Sequence, residues 1–514
     1  MNVDVGISPH ECYFTDKADI DNHNANPETH PMKGEIEELD HGADTQLHRT
    51  LGTRHLTIRS AIGMGMWLRT STSLVKGGPA ALFIGFLLAS SLVWAVNQAI
   101  GEMAVLYSLP SAFVQWTSIV ISPAAGFALG WGYWIALNIQ AVVTIPNYWT
   151  DTVPTAAWIS IFWVVIILIN IWAVRFFAEV EVVSSTIKFS WMIIVIISFI
   201  VITAGAAPQG DAIGFRYWKE SPFTNGFKGF LSNTAFVAHE VVNPRRSMPR
   251  AISSIWVRLG IFYILGSLMI TLVVSPRDPN LFGHEGSDGS PFVVAFKNAG
   301  LPSMAHITNA VIFISVISTA SVTAYGGSRT LVGLAHIHMA PSIFSKADAV
   351  GRPWAAYIAT MVLGGSLAYM NVSHTGADVF LWLSNLISLL ELVGWGMICL
   401  SNLRLRSIWK YQGRAESNLP WRSRWTPYAQ WWGLIWCIVL VILELYLSIK
   451  PLGERTSVKK FFANYVSIIA VIVIWILAQM WYRCPIWFDA GMVNLDEFRR
   501  FYADRDEEEG LDFH

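Results

Sequence analysis

A charge held in hydrocarbon is costly and persists only with a partner or a task, so the few ionisable side chains inside apolar stretches are the first candidates for chemistry. Lys188 follows Ser184, Ser185 and Thr186 near the start of a long apolar run. There it either holds a proton in a functional site or snorkels, its stem carrying the ammonium to the interface near Arg175, Glu179 and Glu181. Glu102 closes another run in the string Ala-Ile-Gly-Glu-Met, where an end cap or an ion pair near the cytoplasmic interface is the favoured reading. Glu391 and Glu444 interrupt two later runs, LISLLELVGWG and VILELYLSIK. Each either pairs across a helix bundle or faces water.

Backbone can do chemistry too. The stretch Ser60-Ala61-Ile62-Gly63-Met64-Gly65 is an apolar segment interrupted by glycine. Such breaks free N–H and C=O groups at membrane depth, where they can bind a carboxylate or an ion. Close helix packing is the other use of such glycines. Arg69 follows in the same short run and fits a position near the outer interface. His239 and Glu240 end a second short run, 227–242, either as a helix terminus or as a polar pair in a discontinuous helix.

The elements that must position these residues are membrane helices. Of 514 residues, 35 are basic and 36 acidic, so only 14% are charged against roughly 25% in ordinary soluble proteins. Hydrophobic residues make up 53%, with 24 Trp. This excludes a disordered chain, a nucleic-acid binder and an ordinary soluble enzyme, and the net charge of −1 selects no partner by bulk field. No HExxH, GxSxG or P-loop pattern occurs, and no cofactor is implied. Cys12, Cys399, Cys437 and Cys484 form no CxxC pair or His/Cys cluster, which argues against a disulfide scaffold and a zinc site. The polar, acidic start does not read as a signal peptide.

Apolar runs are clear at 80–107, 155–174, 184–206, 252–275, 304–326, 354–371, 377–401, 430–449 and 462–482, with weaker ones at 60–75, 124–148 and 227–242. A span needs roughly 20 apolar residues. Trp131, Tyr133, Trp134, Trp481 and Tyr482 suit headgroup depth. The basic segment Asn243–Arg250 and the cluster from Arg404 to Arg424 lie four spans apart, so both can be cytoplasmic, and about twelve spans make the charge pattern self-consistent. Residues 1–50 read as a disordered acidic tail, 51–482 as a transmembrane domain and 483–514 as a cytoplasmic tail.

The strings LHRTLGTRHL, GGPAALFIGF, NQAIGEMA, SPAAGFALGWGYW, NPRRSMPRAI, SPFVVAFKNAG, YGGSRTL and GMICLSNLRLR, in this order and spacing, carry a resemblance. From about Leu47 to Arg483 the chain resembles fungal amino-acid permeases, the yeast amino acid transporter family of the amino acid–polyamine–organocation superfamily. The resemblance implies an all-α integral membrane fold, a LeuT-like inverted-repeat bundle of about twelve transmembrane helices, some of them truncated here. It implies amino-acid transport by proton symport in a multi-pass membrane protein, with plasma membrane as the family's default. Partners would be an amino acid, protons and membrane lipid, with no nucleic acid. It maps substrate binding onto Ser60, Ala61, Ile62, Gly63, Met64, Gly65, Phe236, His239 and Glu240, and proton coupling onto Lys188 and Ser321.

The departures fall on the spans that build the site. The first, third and sixth spans are shorter than the family pattern, Met64 replaces a small polar residue, and Ala320-Ser321 replaces a Gly-Asn pair. Losing about a dozen residues from the sixth span removes about 18 Å of helix, over half of a ~30 Å hydrocarbon core. Two further readings therefore stay open: a transport-incompetent homologue serving as nutrient sensor or scaffold, and an incomplete gene model.

Overall fold

The computed structural model describes residues 66–496, apart from 68–69, 108, 110, 141–153, 173, 209, 211, 239–258, 282–288, 349–350, 371–373, 417–418, 420 and 451–457. The described elements are helices, and no strand occurs among the described residues. In chain order they are α1 (Thr70–Gly77), α2 (Pro79–Leu106), α3 (Ala112–Val120), α4 (Pro123–Gln140), α5 (Thr155–Ile171), α6 (Val174–Thr203), α7 (Gly226–Ala238) and α8 (Gly266–Val273, entered through a π-helical stretch at Leu259–Leu265). There follow α9 (Pro291–Asn298), α10 (Pro302–His336), α11 (Trp354–Tyr369), α12 (His374–Tyr411), α13 (Tyr428–Ile449) and α14 (Val458–Tyr482).

Length and apolarity select these helices. Among the described residues α2, α6, α10 and α13 are long and apolar enough to cross a membrane, and α5, α8, α11 and the end of α14 contribute shorter apolar helices. The runs 80–107, 155–174, 184–206, 304–326, 354–371, 377–401, 430–449 and 462–482 overlap α2, α5, α6, α10, α11, α12, α13 and α14, several of which extend beyond the run at a polar end, while parts of the runs 60–75, 124–148, 227–242 and 252–275 lie outside the described residues. The run 304–326 becomes the 35-residue α10, roughly 52 Å long, because backbone hydrogen bonding continues past the apolar stretch into Arg329 and His336. Prolines stand at the first turn of α2, α9 and α10, where a missing N–H costs nothing.

Outward faces stay greasy. Ile193, Ile194, Ile197 and Ile200 of α6, and Ile435, Ile438 and Ile442 of α13, are exposed. A contiguous apolar exterior of this kind needs lipid as its solvent.

A single large apolar core joins α2, α6, α8, α9, α10 and α12. Close approach tightens it at particular points. Gly78 has φ 88°, and a Cβ there would meet the Pro222 carbonyl and the Thr224 amide at 2.8 Å. The kink between α1 and α2 is thereby stitched to the loop before α7: Ala80 N–H donates to Pro222 O (3.0 Å) and Thr224 N–H to Gly77 O (3.1 Å). α7 itself packs along α2 and α1. At α3, Ser111 Oγ donates to the Arg329 carbonyl (2.8 Å), tying this short helix to α10.

Residues 484–496 fold back onto the helix ends. Phe488, Val493 and Leu495 are buried. The Phe488 N–H donates to Ile121 O, Arg404 donates to Phe488 O, and Gln412 donates to Ala490 O and Val493 O. The Tyr107 hydroxyl donates to Leu495 O, and Arg414 pairs with Asp496. Cys399 and Cys437 are free thiols in the core.

Candidate functional site

Helical geometry gathers the polar residues of α6. Glu181, Ser185 and Lys188 stand at i, i+4 and i+7, which places them on one face. Each is almost fully enclosed: Glu181 is 4% exposed and Lys188 2%. Lys188 therefore does not snorkel. Its face meets α10, whose Ser318 and Ser321, three residues apart, present two hydroxyls inward.

The contacts form a short relay. Lys188 Nζ donates to Ser318 Oγ at 2.7 Å. Ser318 Oγ donates in turn to Glu181 Oε2 at 2.6 Å. Ser185 Oγ donates to Glu181 Oε1 at 3.2 Å. The ammonium and the carboxylate are 3.7 Å apart, near enough for Coulomb attraction and too far for a good direct hydrogen bond. A buried pair of this kind needs each charge compensated and each lone pair occupied, and the two serines supply what the ion pair alone would leave open.

Ser321 turns elsewhere. It accepts a hydrogen bond from Asn170 Nδ2 at 2.8 Å, bringing the end of α5 to the same face of α10. Asn170 also borders a shallow open cleft, with Phe177, Tyr325, Arg329, Trp354 and Tyr357 among its walls. Phe177 stacks on Tyr325 (4.6 Å, 8°), and Arg329 lies over the opposite partner of that stack, 3.9 Å from the Tyr325 centroid. The Tyr357 hydroxyl donates to Ile167 O, and Arg352 donates to Ile171 O.

Of the two predicted coupling residues, Lys188 enters the relay and Ser321 stands beside it, bonded to Asn170. Ser318 and Asn170 escaped the sequence reading. The available signal for the relay was the Glu181, Ser185, Lys188 spacing in an otherwise apolar helix; nothing local marked Ser318 among the serines of α10. Ser60, Ala61, Ile62, Gly63, Met64, Gly65, His239 and Glu240 lie outside the described residues. Phe236 lies on α7, and its side chain is outside the described set. The residue after Gly65 is informative: Met66 is buried, and its Cε lies 3.0 Å from where a Cβ on Gly266 would stand. Met192, one turn beyond Lys188, reaches the same point with its sulfur at 3.6 Å. Met66 and the Lys188 face thus converge on α8.

The other flagged acids separate. Glu102 pairs with Arg406 at 2.9 Å, the ion pair expected of it. Glu391 is buried on α12, and Glu444 is half-buried on α13.

A family model described as amino acid permease matches residues 55–489. Amino-acid permease inda1 of Hypocrea atroviridis is 36% identical over 473 residues, covering 86% of this chain and 82% of that protein. Cationic amino acid transporter 1 of Schizosaccharomyces pombe is 36% identical over 452 residues, covering 82% and 77%. General amino-acid permease GAP2 of Candida albicans is 33% identical over 485 residues, covering 89% and 82%.

Proposed function

The chain belongs to the amino acid permease family, and from that premise we propose that it carries an amino acid across a membrane by proton symport and alternating access. The observation that carries the reading is the buried Lys188, bonded through Ser318 to Glu181 between two long membrane helices. A titratable cation enclosed this way can change protonation with conformation, which is what coupling a proton to a carried solute requires.

In this reading the bundle is a twelve-span LeuT-like inverted repeat. The substrate carboxylate is held by the freed backbone of Ser60, Ala61, Ile62, Gly63, Met64 and Gly65, since N–H groups at a helix start favour an anion. Phe236, His239 and Glu240 complete the pocket from the other broken span, and Lys188 with Ser321 couples the proton. The convergence of Met66 and Met192 on Gly266 supports a substrate site next to Lys188. The host membrane is the plasma membrane.

The test is uptake of labelled amino acids in cells lacking their own permeases. Uptake of at least one amino acid should rise as external pH falls and collapse with a protonophore. Absence of uptake for every amino acid, with protein at the cell surface, overturns the proposal. One observation favours a second reading, a sensor without flux. Between Gly226 and the basic segment at Asn243 there is chain for only about 25 Å of helix, short of a ~30 Å core. Amino-acid-dependent signalling without uptake would select it.

A further inference from the structure

We propose that Glu181 is the second proton station of the coupling site and that the Ser318 hydroxyl is the wire between it and Lys188. The inference rests on the proton-symport reading above and adds the group that receives the proton. The direct path is poor: ammonium and carboxylate are 3.7 Å apart. The path through Ser318 consists of two short bonds, 2.7 and 2.6 Å, already oriented in series. Ser185 occupies the other carboxylate oxygen and leaves Oε2 to the relay.

The step balances within the three residues. An N–H bond of the Lys188 ammonium breaks, and its proton forms a new O–H bond on Ser318 Oγ. The hydroxyl's original O–H bond breaks, and that proton bonds to Glu181 Oε2. Lys188 keeps the electron pair and becomes a neutral amine; Glu181 becomes a neutral acid. The total charge of the site is unchanged, so an ion pair converts to a neutral pair with no ion left alone in the core.

Surroundings leave this exchange to the pair itself. Among the described residues α5 carries no charged side chain, and the segment 259–273 offers only Tyr263 as a titratable group. On α10 the titratable groups are His306, Tyr325, Arg329 and His336; Arg329 lies roughly 16 Å along the helix from Ser318. On α6 itself Glu179 is the remaining described acid. Seven residues of helix set Glu181 about 10 Å toward the start of α6 relative to Lys188. Phe177, one turn nearer still to that start, lines the cleft shared with Asn170 and Tyr325. The second station is therefore displaced along α6 toward that cleft.

The purified full-length protein in liposomes tests this with two rates measured in the same vesicles: exchange of labelled amino acid at equal pH, and uptake driven by an inward proton gradient with a pH dye inside. In wild type both should occur. Glu181→Gln should lower the ratio of driven uptake to exchange by roughly a hundredfold, the scale of a lost proton-transfer group. It should also flatten the pH profile of uptake. Ser318→Ala should lower the same ratio, and Ser318→Thr, which restores a hydroxyl, should recover it. An undiminished ratio in Glu181→Gln overturns the proposal. If that variant fails to fold, the Ser318 pair decides: equal ratios in Ala and Thr reduce Ser318 to packing and overturn the relay. Exchange in wild type with no response to the gradient refutes proton symport itself, and the second station with it. Loss of driven uptake in Lys188→Met with wild-type coupling in Glu181→Gln refutes the station alone.

Discussion

Two of the buried carboxylates, Glu102 and Glu181, are furnished in opposite ways. Glu102, at the end of α2, is saturated. Its Oε1 accepts from Arg406 Nη2 (2.9 Å), the Ser423 amide (2.8 Å) and Thr426 Oγ1 (2.8 Å). Its Oε2 accepts from Asn402 Nδ2 and Arg406 Nε, both at 3.1 Å. A two-pronged guanidinium contact with further donors fixes both charge and direction. Glu181 has two hydroxyls and an ammonium at arm's length. Serine hydroxyls can reverse donor and acceptor roles, while a guanidinium cannot give up its proton. The first acid is held chiefly by donors that cannot turn round; the second is held by hydroxyls that can. Saturation thus marks Glu102 as architectural and, on the proposal above, leaves Glu181 the working group, although both sit in apolar helices and both face a cation.

The largest expected effect breaks the architectural side. Glu102→Ala leaves Arg406 enclosed without its main counter-charge and the Ser423 amide without an acceptor, a loss of about 3–5 kcal/mol. The thermal midpoint of detergent-purified protein should fall steeply, or surface delivery should fail. A midpoint equal to wild type would erase the distinction. Glu181→Gln should cost less, because the amide oxygen still accepts from one serine, the other hydroxyl can turn to accept from the amide N–H, and Lys188 can shed its proton rather than stay a lone buried charge; the same melt measures it, and a drop matching Glu102→Ala would make Glu181 architectural too. A smaller effect is expected at the partly exposed pair Arg414–Asp496. Arg414→Ala should cost about 1 kcal/mol or less, read as faster proteolysis of the C-terminal segment, and Arg414→Asp with Asp496→Arg should restore protection.

The smallest effect concerns a third carboxylate, in the loop between α10 and α11. Burial raises the Asp348 carboxyl, but hydrogen bonds from the Arg352 amide and guanidinium and from the Trp354 indole, with the Arg352 charge, outweigh it and hold the group down at about 2. The folded value lies below the ordinary one, so its contribution is full above pH of about 4 and is lost as pH falls toward 2. Asp348→Asn should remove that acid dependence from the thermal midpoint between those values and change little at neutral pH. An acid limb identical in variant and wild type would show the loop contributes nothing.

The membrane helices were legible because lipid imposes a simple demand, twenty or so apolar residues in a row, and α2, α6, α10 and α13 obey it. Lys188 was legible as a charge breaking such a row, and Glu102 as an acid at the end of one. Their partners were not. Ser318 lies 130 positions from Lys188, and Arg406 more than 300 from Glu102; a serine on an apolar helix usually just bonds its own preceding turn, as Ser184 and Ser315 do here. Phe488, Val493 and Leu495 were hidden for another reason: isolated apolar residues in a polar stretch have no period to betray burial. The glycine-broken segment was legible as glycines interrupting an apolar run, its substrate role came from the family pattern, and residues 60–65 lie outside the described residues.

Those three side chains carry a practical consequence for anyone engineering the molecule. A shortened version stopping at Tyr482 looks harmless on a hydropathy plot. It would uncork the sockets of Phe488 and Leu495 and deprive Tyr107, Arg404 and Gln412 of their carbonyl acceptors in a single cut. Reporter fusions and affinity handles belong beyond Asp496, where the plug stays seated.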